Sequence, residues 1–376
     1  MKILILNSEY PPIGGGAGNA SANIARLLVQ MGHEVLVLTS QFGDLPHEEL
    51  CSGVRVLRGP AFRHYSDRST AMEQSSFIVG ASIRVLSLVR QFKPEVTLAF
   101  FGLPSGAVAW LLKSVLGIPY VVSLRGGDVP GFRPYDFWLY HKLAVPFLHV
   151  IWRNASAVVA NSTGLRDLAN AFDPTVSIPI VPNGVDLEKF SLSRHDWSPP
   201  RILSVGRVVY QKGYDVALLA LAGLKELEWE WRIAGDGPQL RSLQAMIQER
   251  DLEGRVHVLG WQTADQLKKQ YAKANLFLFP SRHEGMPNAV LEAMASGLPV
   301  VATSIAGNEE LVLNGETGAL VPVEDVAALR EALRPFLIKA EMREKMGNAA
   351  RPRVEQAFQW SRVAEEYQSI LKKALK

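Results

Sequence analysis

The 376-residue chain has little cysteine, little excess charge and no long uninterrupted apolar run. Its single cysteine, Cys51, excludes an internal disulfide and a cysteine-rich zinc site. The net charge is only +3, from 40 basic and 37 acidic residues, so composition gives no general case for nucleic-acid binding. The longest uncharged apolar stretch, residues 96–112, is interrupted by Gly102 and Pro104, which favours a strand, a loop and a helix start over a membrane span.

Signals for targeting and repetition are also missing from the sequence. The first residues read directly as a strand and lack the basic, apolar and small-residue order of a signal peptide, so we expect a cytoplasmic protein. The sequence contains no short-period repeat and no low-complexity tract. A length of 376 residues favours two domains, each large enough to bury a sizeable core.

Short apolar runs alternate with helical patterns along the chain, which indicates an α/β protein with parallel sheets. We predict two doubly wound, Rossmann-like domains, residues 1–190 and 191–360, with a linker at residues 191–200. A last helix, residues 361–376, has apolar residues along one side. The expected strands lie near residues 2–7, 34–39, 54–57, 96–100, 120–124, 157–160 and 178–181 of the first domain, and near residues 201–205, 231–234, 256–259, 275–279, 299–302 and 319–321 of the second.

The segment from Glu284 to Glu292 places one acid on each side of a predicted helix start. The apolar run at residues 274–280 predicts a buried parallel strand, and Pro287 suits the first helical position after it. Backbone N–H groups at such a helix start favour a phosphate or a polar sugar edge, and Glu292 can accept hydrogen bonds from two ribose hydroxyls. Two acids eight residues apart also arise by chance, so the pair alone leaves both interpretations open.

A glycine turn with two cations follows the strand predicted at residues 201–205. Arg207 and Lys212 stand five residues apart in this turn, between Gly206 and Gly213. Two cations above the carboxyl edge of a parallel sheet can clamp a diphosphate and stabilise it as a leaving group. The alternative is a solvated basic loop.

A glycine loop also follows the first strand, at residues 14–18. Glycines at Gly14, Gly15 and Gly16 let the backbone approach a ligand closely. They do not fit the dinucleotide pattern Gly-x-Gly-x-x-Gly, and no acid ends the second strand at Thr39, so NAD binding has weak support.

These segments together resemble the retaining family 4 glycosyltransferases of the GT-B fold, over nearly the whole chain. Four pieces carry the resemblance: the glycines at 14–16; Pro182-Asn183-Gly184-Val185-Asp186 with Phe190; Gly206-Arg207 with Lys212-Gly213; and Glu284 to Glu292, followed by residues 293–301. The resemblance implies two Rossmann-like domains facing across a cleft, with the last helix crossing back to the first domain. The second domain would hold the nucleotide sugar, and the first would bind the acceptor.

The resemblance also assigns roles to particular residues. Arg207 and Lys212 look like the diphosphate clamp, Glu284 like a grip on the donor sugar, and Glu292 like the ribose acid. The residues implied in catalysis are Arg207, Lys212, Glu284 and Asp128. Those implied in donor binding are Gly15, Gly16, Arg125, Gly206, Gly285, Met286, Pro287, Asn288 and Glu292.

One position departs from the family pattern. The family often has a histidine three residues before the aspartate that matches Asp128, whereas this chain has Arg125. An arginine stays charged near neutral pH and cannot relay a proton, so a mechanism that needs this histidine is in doubt. Arg125 is expected either to pair with Asp128, or to bind the donor or an anionic acceptor.

The mechanism implied by the resemblance is retaining sugar transfer from a nucleoside-diphosphate sugar, through a loose transition state and without an enzyme nucleophile. No two aspartates stand two positions apart, so the Asp-x-Asp metal grip of the other large glycosyltransferase fold is missing, and we expect no metal and no further cofactor. Two other functions stay open: a sugar-nucleotide epimerase, and a catalytically silent binding protein.

The acceptor is expected to be a glycan or a lipid-linked molecule, and not a nucleic acid. Residues 55–90 contain six arginines against two acids, with Phe62 and Tyr65 among them. Such a stretch can rest on an anionic membrane or hold a lipid-linked phosphate, so we include peripheral contact with the inner face of the membrane as a possible partner interaction. A solvated surface is the alternative.

Overall fold

Two mainly parallel sheets, each in its own unit of the chain, organise the fold. The computed structural model describes residues 1–65, 69–132, 134–190, 192 and 199–376, with only the backbone for residues 134–141. One unit comprises Met1–Asn183 with Trp360–Lys376, and the other comprises Gly184–Gln359. In the linker predicted at residues 191–200, residues 191 and 193–198 lie outside the described residues.

The first unit is built on a seven-stranded sheet with helices on both faces. Its strand order is β3-β4-β2-β1-β5-β6-β7, and all neighbours are parallel except β3 and β4. The strands are β1 (Lys2–Leu6), β2 (Glu34–Ser40), β3 (Glu48–Cys51), β4 (Val54–Gly59), β5 (Val96–Phe100), β6 (Tyr120–Ser123) and β7 (Ala157–Val159). The helices between them are α1 (Gly16–Gln30), α2 (Ala71–Phe92), α3 (Gly106–Leu116), α4 (Pro134–Asn154) and α5 (Thr163–Phe172).

The second unit is built on a six-stranded parallel sheet in the order β10-β9-β8-β11-β12-β13. The strands are β8 (Arg201–Val205), β9 (Glu230–Ala234), β10 (Val256–Gly260), β11 (Leu276–Phe279), β12 (Val300–Thr303) and β13 (Gly318–Val321). The helices are α6 (Tyr214–Ala222), α7 (Leu240–Gln248), α8 (Ala264–Ala272), α9 (Asn288–Ala295), α10 (Ala306–Leu311), α11 (Val326–Ile338) and α12 (Ala340–Ala357). Strands β11 and β12 are short, fully buried runs with no alternation, as expected where a sheet is covered on both faces.

The last helix, α13 (Trp360–Ala374), returns to the first unit as predicted. It packs beside α1 and buries Val363, Tyr367 and Leu371 in the core on that face of the sheet. The Tyr367 hydroxyl forms a buried hydrogen bond of 2.7 Å with the Ser123 hydroxyl at the end of β6. Within the described residues, every helix falls short of the length and apolar character needed to cross a lipid bilayer.

Three details of the predicted elements were wrong. The segment expected as a strand at residues 178–181 forms one isolated bridge, between Ala160 and Ile180. A single bridge is too short to make a strand. The edge strand β3 was missed; it is a short antiparallel strand whose residues are exposed or half-buried, so it lacks the apolar run of a core strand. Helix α9 begins at Asn288, with Pro287 just outside it as the capping residue.

The order of strands places a switch point in each sheet. In the second unit the chain runs outward in opposite directions from β8 and β11, which are direct neighbours. The loops after these strands therefore leave the same sheet edge side by side, at the place where doubly wound sheets bind ligands. These loops are residues 206–213 and 280–287. In the first unit the corresponding neighbours are β1 and β5.

Gly213 fixes the way in which the two loops of the second unit meet. Its φ angle is +64°, and a Cβ atom there would lie 2.1 Å from the carbonyl oxygen of Pro280. The contact is with backbone, so it cannot be relieved by rotating a side chain. Only glycine fits this position without moving one loop away from the other.

We expect Gly213→Ala to lower the free energy of unfolding by at least about 2 kcal/mol, because the left-handed conformation and the backbone clash both add cost. Thermal unfolding followed by circular dichroism measures the loss. Gly254→Ala is the matched control, because a Cβ atom at Gly254 meets no atom within 4 Å. Equal melting temperatures for the two variants would contradict the prediction.

Candidate functional site

Lys212 is positioned by the loop that follows β8. The chain leaves the strand at Gly206, whose φ angle is +150°, and forms a short 3-10 turn at Tyr210–Lys212 before α6 begins. A Cβ atom at Gly206 would lie 2.8 Å from Cε of Lys212. The glycine therefore leaves room for the lysine stem to lie across the end of the strand.

Lys212 and Glu284 meet directly at this sheet edge. The Lys212 Nζ donates to Oε1 of Glu284 at 2.6 Å, and the Ser281 hydroxyl donates to the same oxygen at 3.1 Å. The side chains of Lys212 and Glu284 are 16% and 13% exposed, so solvent weakens their attraction less than at an open surface. The structure thus brings together one cation and one acid that lie 72 residues apart in the sequence.

Arg282 holds these two loops in place, and sequence reasoning missed it. Its side chain is 6% exposed and forms ion pairs with Asp215 at 2.8 Å and Glu324 at 2.8 Å. It also donates to the carbonyl of Tyr210 and stacks on the Tyr210 ring. Burial lowers the pKa of Arg282, but the hydrogen bonds to Asp215 and Glu324 raise it. The net effect raises the pKa above its ordinary value, so the guanidinium stays charged. The sequence feature that could have identified Arg282 is its position two residues before Glu284.

The backbone strengthens the same arrangement. The Arg282 N–H donates to the carbonyl of Gln211 at 2.7 Å, and the Gln211 side chain donates to the carbonyl of His283 at 2.6 Å. The residues on each side of Lys212 and Glu284 are therefore linked to each other. Such cross-links reduce the freedom of both side chains before any ligand binds.

Glu292 lies in α9 and points toward Tyr271 of α8. The Tyr271 hydroxyl donates to Oε2 of Glu292 at 2.9 Å. Burial raises the pKa of Glu292 to about 7, although the hydrogen bond from Tyr271 and the charge of Lys189 act in the opposite direction. Tyr271 is fully buried against Phe277, so the hydroxyl that orients Glu292 is itself fixed by the core. No sequence pattern pointed to Tyr271.

The remaining predicted donor residues of the second unit lie in the same two loops. Arg207 is partly exposed and follows Gly206 directly after β8. The other predicted positions lead into the start of α9: Gly285, Met286, Pro287 and Asn288. The carbonyl of Gly285 lies so close to Gly307 that a Cβ atom on Gly307 would be 2.2 Å from it. The start of α10 therefore packs tightly against this part of the site.

Asp128 occupies a backbone cradle in the first unit. Its carboxylate accepts hydrogen bonds from the N–H groups of Gly102, Arg125 and Gly126 at 2.7, 3.0 and 3.0 Å. The carboxyl is buried, and burial raises its pKa while these backbone bonds lower it. Asp128 thus ties the loop after β6 to the loop after β5.

Arg125 is a structural bridge in the first unit. Its guanidinium donates to Oδ1 of Asn183 at 2.7 Å and to the hydroxyl of Tyr367 at 3.0 Å, and it lies 4.7 Å from the centre of the Phe100 ring. The backbone N–H of Arg125 donates to Asp128, whereas the described hydrogen bonds of its guanidinium go to Asn183 and Tyr367, so side-chain pairing with Asp128, one of the two roles considered from the sequence, is not the arrangement seen.

The neighbouring glycines in the loop after β1 have different roles. Gly14 has a φ angle of +89°, and a Cβ atom there would lie 2.6 Å from Cβ of Glu9. A Cβ atom at Gly15 would meet nothing within 4 Å, so Gly15 borders open space. Helix α1 begins at Gly16, directly after this opening. The fold requires glycine at Gly14, whereas Gly15 has room for a ligand to approach the backbone.

Comparison with known proteins assigns the chain to a family. Residues 14–189 match the model of Glycosyltransferase Family 4, and residues 188–353 match that of Glycosyl transferases group 1. The putative colanic acid biosynthesis glycosyltransferase WcaL of Escherichia coli K12 is 34% identical, over 74% of this chain and 71% of the relative. The glycogen synthase of Mycobacterium tuberculosis H37Rv is 27% identical, over 97% of this chain and 92% of the relative.

Solved structures agree on the fold. The sucrose-phosphate synthase of Thermosynechococcus elongatus superposes with a TM-score of 0.88, at 21% identity, over 98% of each chain. Anabaena HepE, solved with UDP and glucose, superposes with a TM-score of 0.80, at 20% identity, over 99% of each chain. The predicted GT-B fold class is confirmed. Given its family matches and its identity to WcaL, this chain belongs to glycosyltransferase family 4.

Proposed function

We propose that this glycosyltransferase moves the sugar of a nucleoside-diphosphate sugar to a hydroxyl of a glycan or lipid-linked acceptor, with retention at the anomeric carbon and without a bound metal. The observation that carries the proposal is the 2.6 Å contact between Lys212 and Glu284 at the switch point of the second unit. A cation for a phosphate and an acid for sugar hydroxyls stand there side by side.

The Lys212 ammonium has hydrogen-bond donors that could bind a diphosphate. An ammonium has three N–H donors, and one of them bonds Glu284. Among the residues that the structure describes, no other acceptor takes a hydrogen bond from Nζ. The two remaining donors, together with the Arg207 guanidinium, would bind the phosphate oxygens and stabilise the charge that builds as the diphosphate leaves.

Glu284 and Glu292 each have an oxygen suited to a sugar hydroxyl. Both described bonds to Glu284 end on Oε1, and the bond from Tyr271 to Glu292 ends on Oε2. The other oxygen of each carboxylate has no hydrogen-bond donor within the described part of the chain. We assign the transferred sugar to Glu284 and the ribose to Glu292, on either side of the start of α9.

The titles of related structures support this class of donor. HepE was solved with UDP and glucose and also with UDP-glucose, and a starch synthase from Arabidopsis thaliana was solved with ADP and acarbose. These neighbours differ in the base that they bind. The proposal for this chain therefore extends to the nucleoside diphosphate and its sugar, and not to one base.

The chemical step needs no side-chain nucleophile in this proposal. The bond between the anomeric carbon and the diphosphate oxygen breaks, the acceptor oxygen forms the new bond on the same face, and its proton passes to the leaving phosphate. Asp128 accepts three backbone hydrogen bonds, which suits a positioning role. Arg207 and Lys212 would supply the positive charge that a bound metal ion supplies in metal-dependent enzymes.

A thermal-shift screen against nucleoside diphosphates and their sugars tests the donor class. A ligand that binds only the folded chain raises the melting temperature, and we expect this for at least one nucleoside diphosphate and its sugar. Incubating the enzyme with that donor alone, without acceptor, should release no epimer. An epimer would assign the chain to the epimerase alternative, and no shift with any compound would reject the donor site.

Lys212→Ala should lower the turnover number by at least about a hundredfold, the typical loss when one preorganised charge-stabilising group is removed. Initial rates with the donor found in the screen measure this loss. Lys269→Ala removes an exposed lysine of α8 and should leave turnover unchanged. Equal turnover in the two variants would contradict the diphosphate clamp.

Glu292→Gln should remove part of the pH dependence of stability in the ligand-free protein. A carboxyl whose pKa is raised to about 7 binds its proton more tightly in the folded chain, so stability falls as the pH rises toward and through that value. Glutamine does not titrate. Relative to the parent, the variant should therefore gain stability between about pH 5 and about pH 8, on the order of 2 kcal/mol.

Melting temperatures of the parent and the variant across this range measure the gain. Glu344→Gln is the control, because Glu344 is an exposed residue of α12. A constant difference between the parent and Glu292→Gln at all pH values would show that Glu292 does not titrate in this window.

A further inference from the structure

Helix α2 of the first unit turns a row of apolar side chains toward solvent. Met72, Val79, Ile83 and Leu86 are all exposed, and Ile83 is 72% exposed. At 100° per residue these four positions fall within an arc of about 60°, so they form one stripe along the helix. The opposite side of α2 is already buried in the core. The outer stripe is therefore an additional apolar surface.

Two neighbouring helices extend this surface. On α4, Leu143, Phe147 and Val150 are exposed and again share one side of the helix. Helix α3 packs against both α2 and α4 and exposes Trp110. All three helices bury their inner sides in one core cluster on the same face of the sheet, so their outer sides form a continuous layer.

The charges on this layer are of one sign. Residues 71–92, 106–116 and 142–154 contain a single acid, Glu73. Its carboxylate is buried and accepts hydrogen bonds from the N–H groups of His64 and Thr70 at 2.6 Å. Among the exposed cations, Arg90 lies in line with the α2 stripe, whereas Arg84 and Lys142 lie on the flanks of their helices, Arg84 near Glu48 of β3. We call the outer sides of α2, α3 and residues 142–154 of α4 the basic apolar face.

The six arginines noted in the sequence do not all contribute to this face. Arg58 and Arg63 have buried side chains that bind backbone carbonyls and lie beside Glu49 and Glu9, respectively. Asp67 and Arg68 lie outside the described residues. The basic apolar face is therefore defined by the outer sides of the helices, and not by all the residues of the basic stretch at 55–90.

We propose that the basic apolar face docks this enzyme on a bilayer that contains anionic lipids. Exposed apolar side chains gain free energy by entering the headgroup and acyl boundary, and each nearby cation adds attraction to anionic headgroups. The apolar residues are spread over three helices, which suits a broad surface better than a pocket for one peptide. This inference goes beyond the transfer reaction and does not depend on it.

A second copy of the chain fits the face poorly. In a twofold contact the same patch meets itself, so the cations of one copy would face residues 71–92, 106–116 and 142–154 of the other, whose single acid, Glu73, is buried. An anionic lipid surface has the complementary charge. Charge therefore favours lipid over self-association.

Co-flotation with vesicles tests the proposal. The parent protein should float with vesicles of phosphatidylcholine and phosphatidylglycerol, float poorly with phosphatidylcholine alone, and bind less at high salt. The double variant Ile83→Asp with Phe147→Asp should bind the anionic vesicles at least about tenfold more weakly, because two apolar insertions are lost. Arg84→Glu with Arg90→Glu should weaken binding at low salt.

Two single variants of the second unit serve as controls. Ile338→Asp replaces an exposed isoleucine of α11, Arg241→Glu replaces an exposed arginine of α7, and both should bind as the parent does. All substitutions are at exposed positions, and melting temperatures confirm that each variant is folded. Because flotation needs neither donor nor turnover, failure of the donor site leaves this result unaffected.

Several results would overturn the proposal. One is a parent protein that does not float with anionic vesicles, and another is a double variant, Ile83→Asp with Phe147→Asp, that binds them as tightly as the parent. A reversible dimer in analytical ultracentrifugation that this double variant abolishes, without vesicle binding, would assign the face to a second copy. Capture of an acidic protein without vesicle binding would assign it to a protein partner.

Discussion

The buried guanidinium of Arg282 is the interaction on which the geometry of the second unit's site depends. It joins the start of α6 through Asp215, the 3-10 turn through Tyr210, and the loop after β13 through Glu324. The guanidinium is buried, whereas the side chains of Asp215 and Glu324 are 42% and 54% exposed, so desolvation of the arginine offsets much of the attraction, but loss of both acids would leave a buried charge without a partner carboxylate. Its effect is therefore mainly to select one arrangement of the loops. In that arrangement Lys212 lies against Glu284.

The topology of the sheet explains why a single residue, Arg282, can fix the positions of the loops at the site. Strands β8 and β11 are neighbours, and the loops that follow them are separated in sequence by two other strands, β9 and β10, by the helices α6 to α8, and by β11 itself. Close backbone packing at Gly213 and Gly307 then fixes how near the loops can lie. The rigid part of the site is thus made by backbone contact and one buried charge network, and the side chains for ligands project from it.

Much of the fold followed from the sequence, because buried parallel strands are short apolar runs that are easy to recognise. The nearness of Lys212 and Glu284 was also predictable, since both follow such strands at one sheet edge. Arg282 and Tyr271 were not, because their importance comes from partners that are distant in the chain. Arg125 shows the same limit: its contacts with Asn183 and Tyr367 come from segments that no local pattern connects to β6.

Helix α13 has a consequence for the order in which the chain can fold. The first unit buries Tyr367 and Leu371 in the core beside β5 and β6, yet these residues are synthesised only after the whole of the second unit, residues 184–359. Until they emerge from the ribosome, that face of the sheet is covered only in part, by α1, while residues 184–359 already contain the strands and helices of their own core. The amino-terminal unit is therefore completed after the second unit, and a nascent or truncated chain that lacks α13 would present the uncovered part of its apolar sheet to chaperones and proteases.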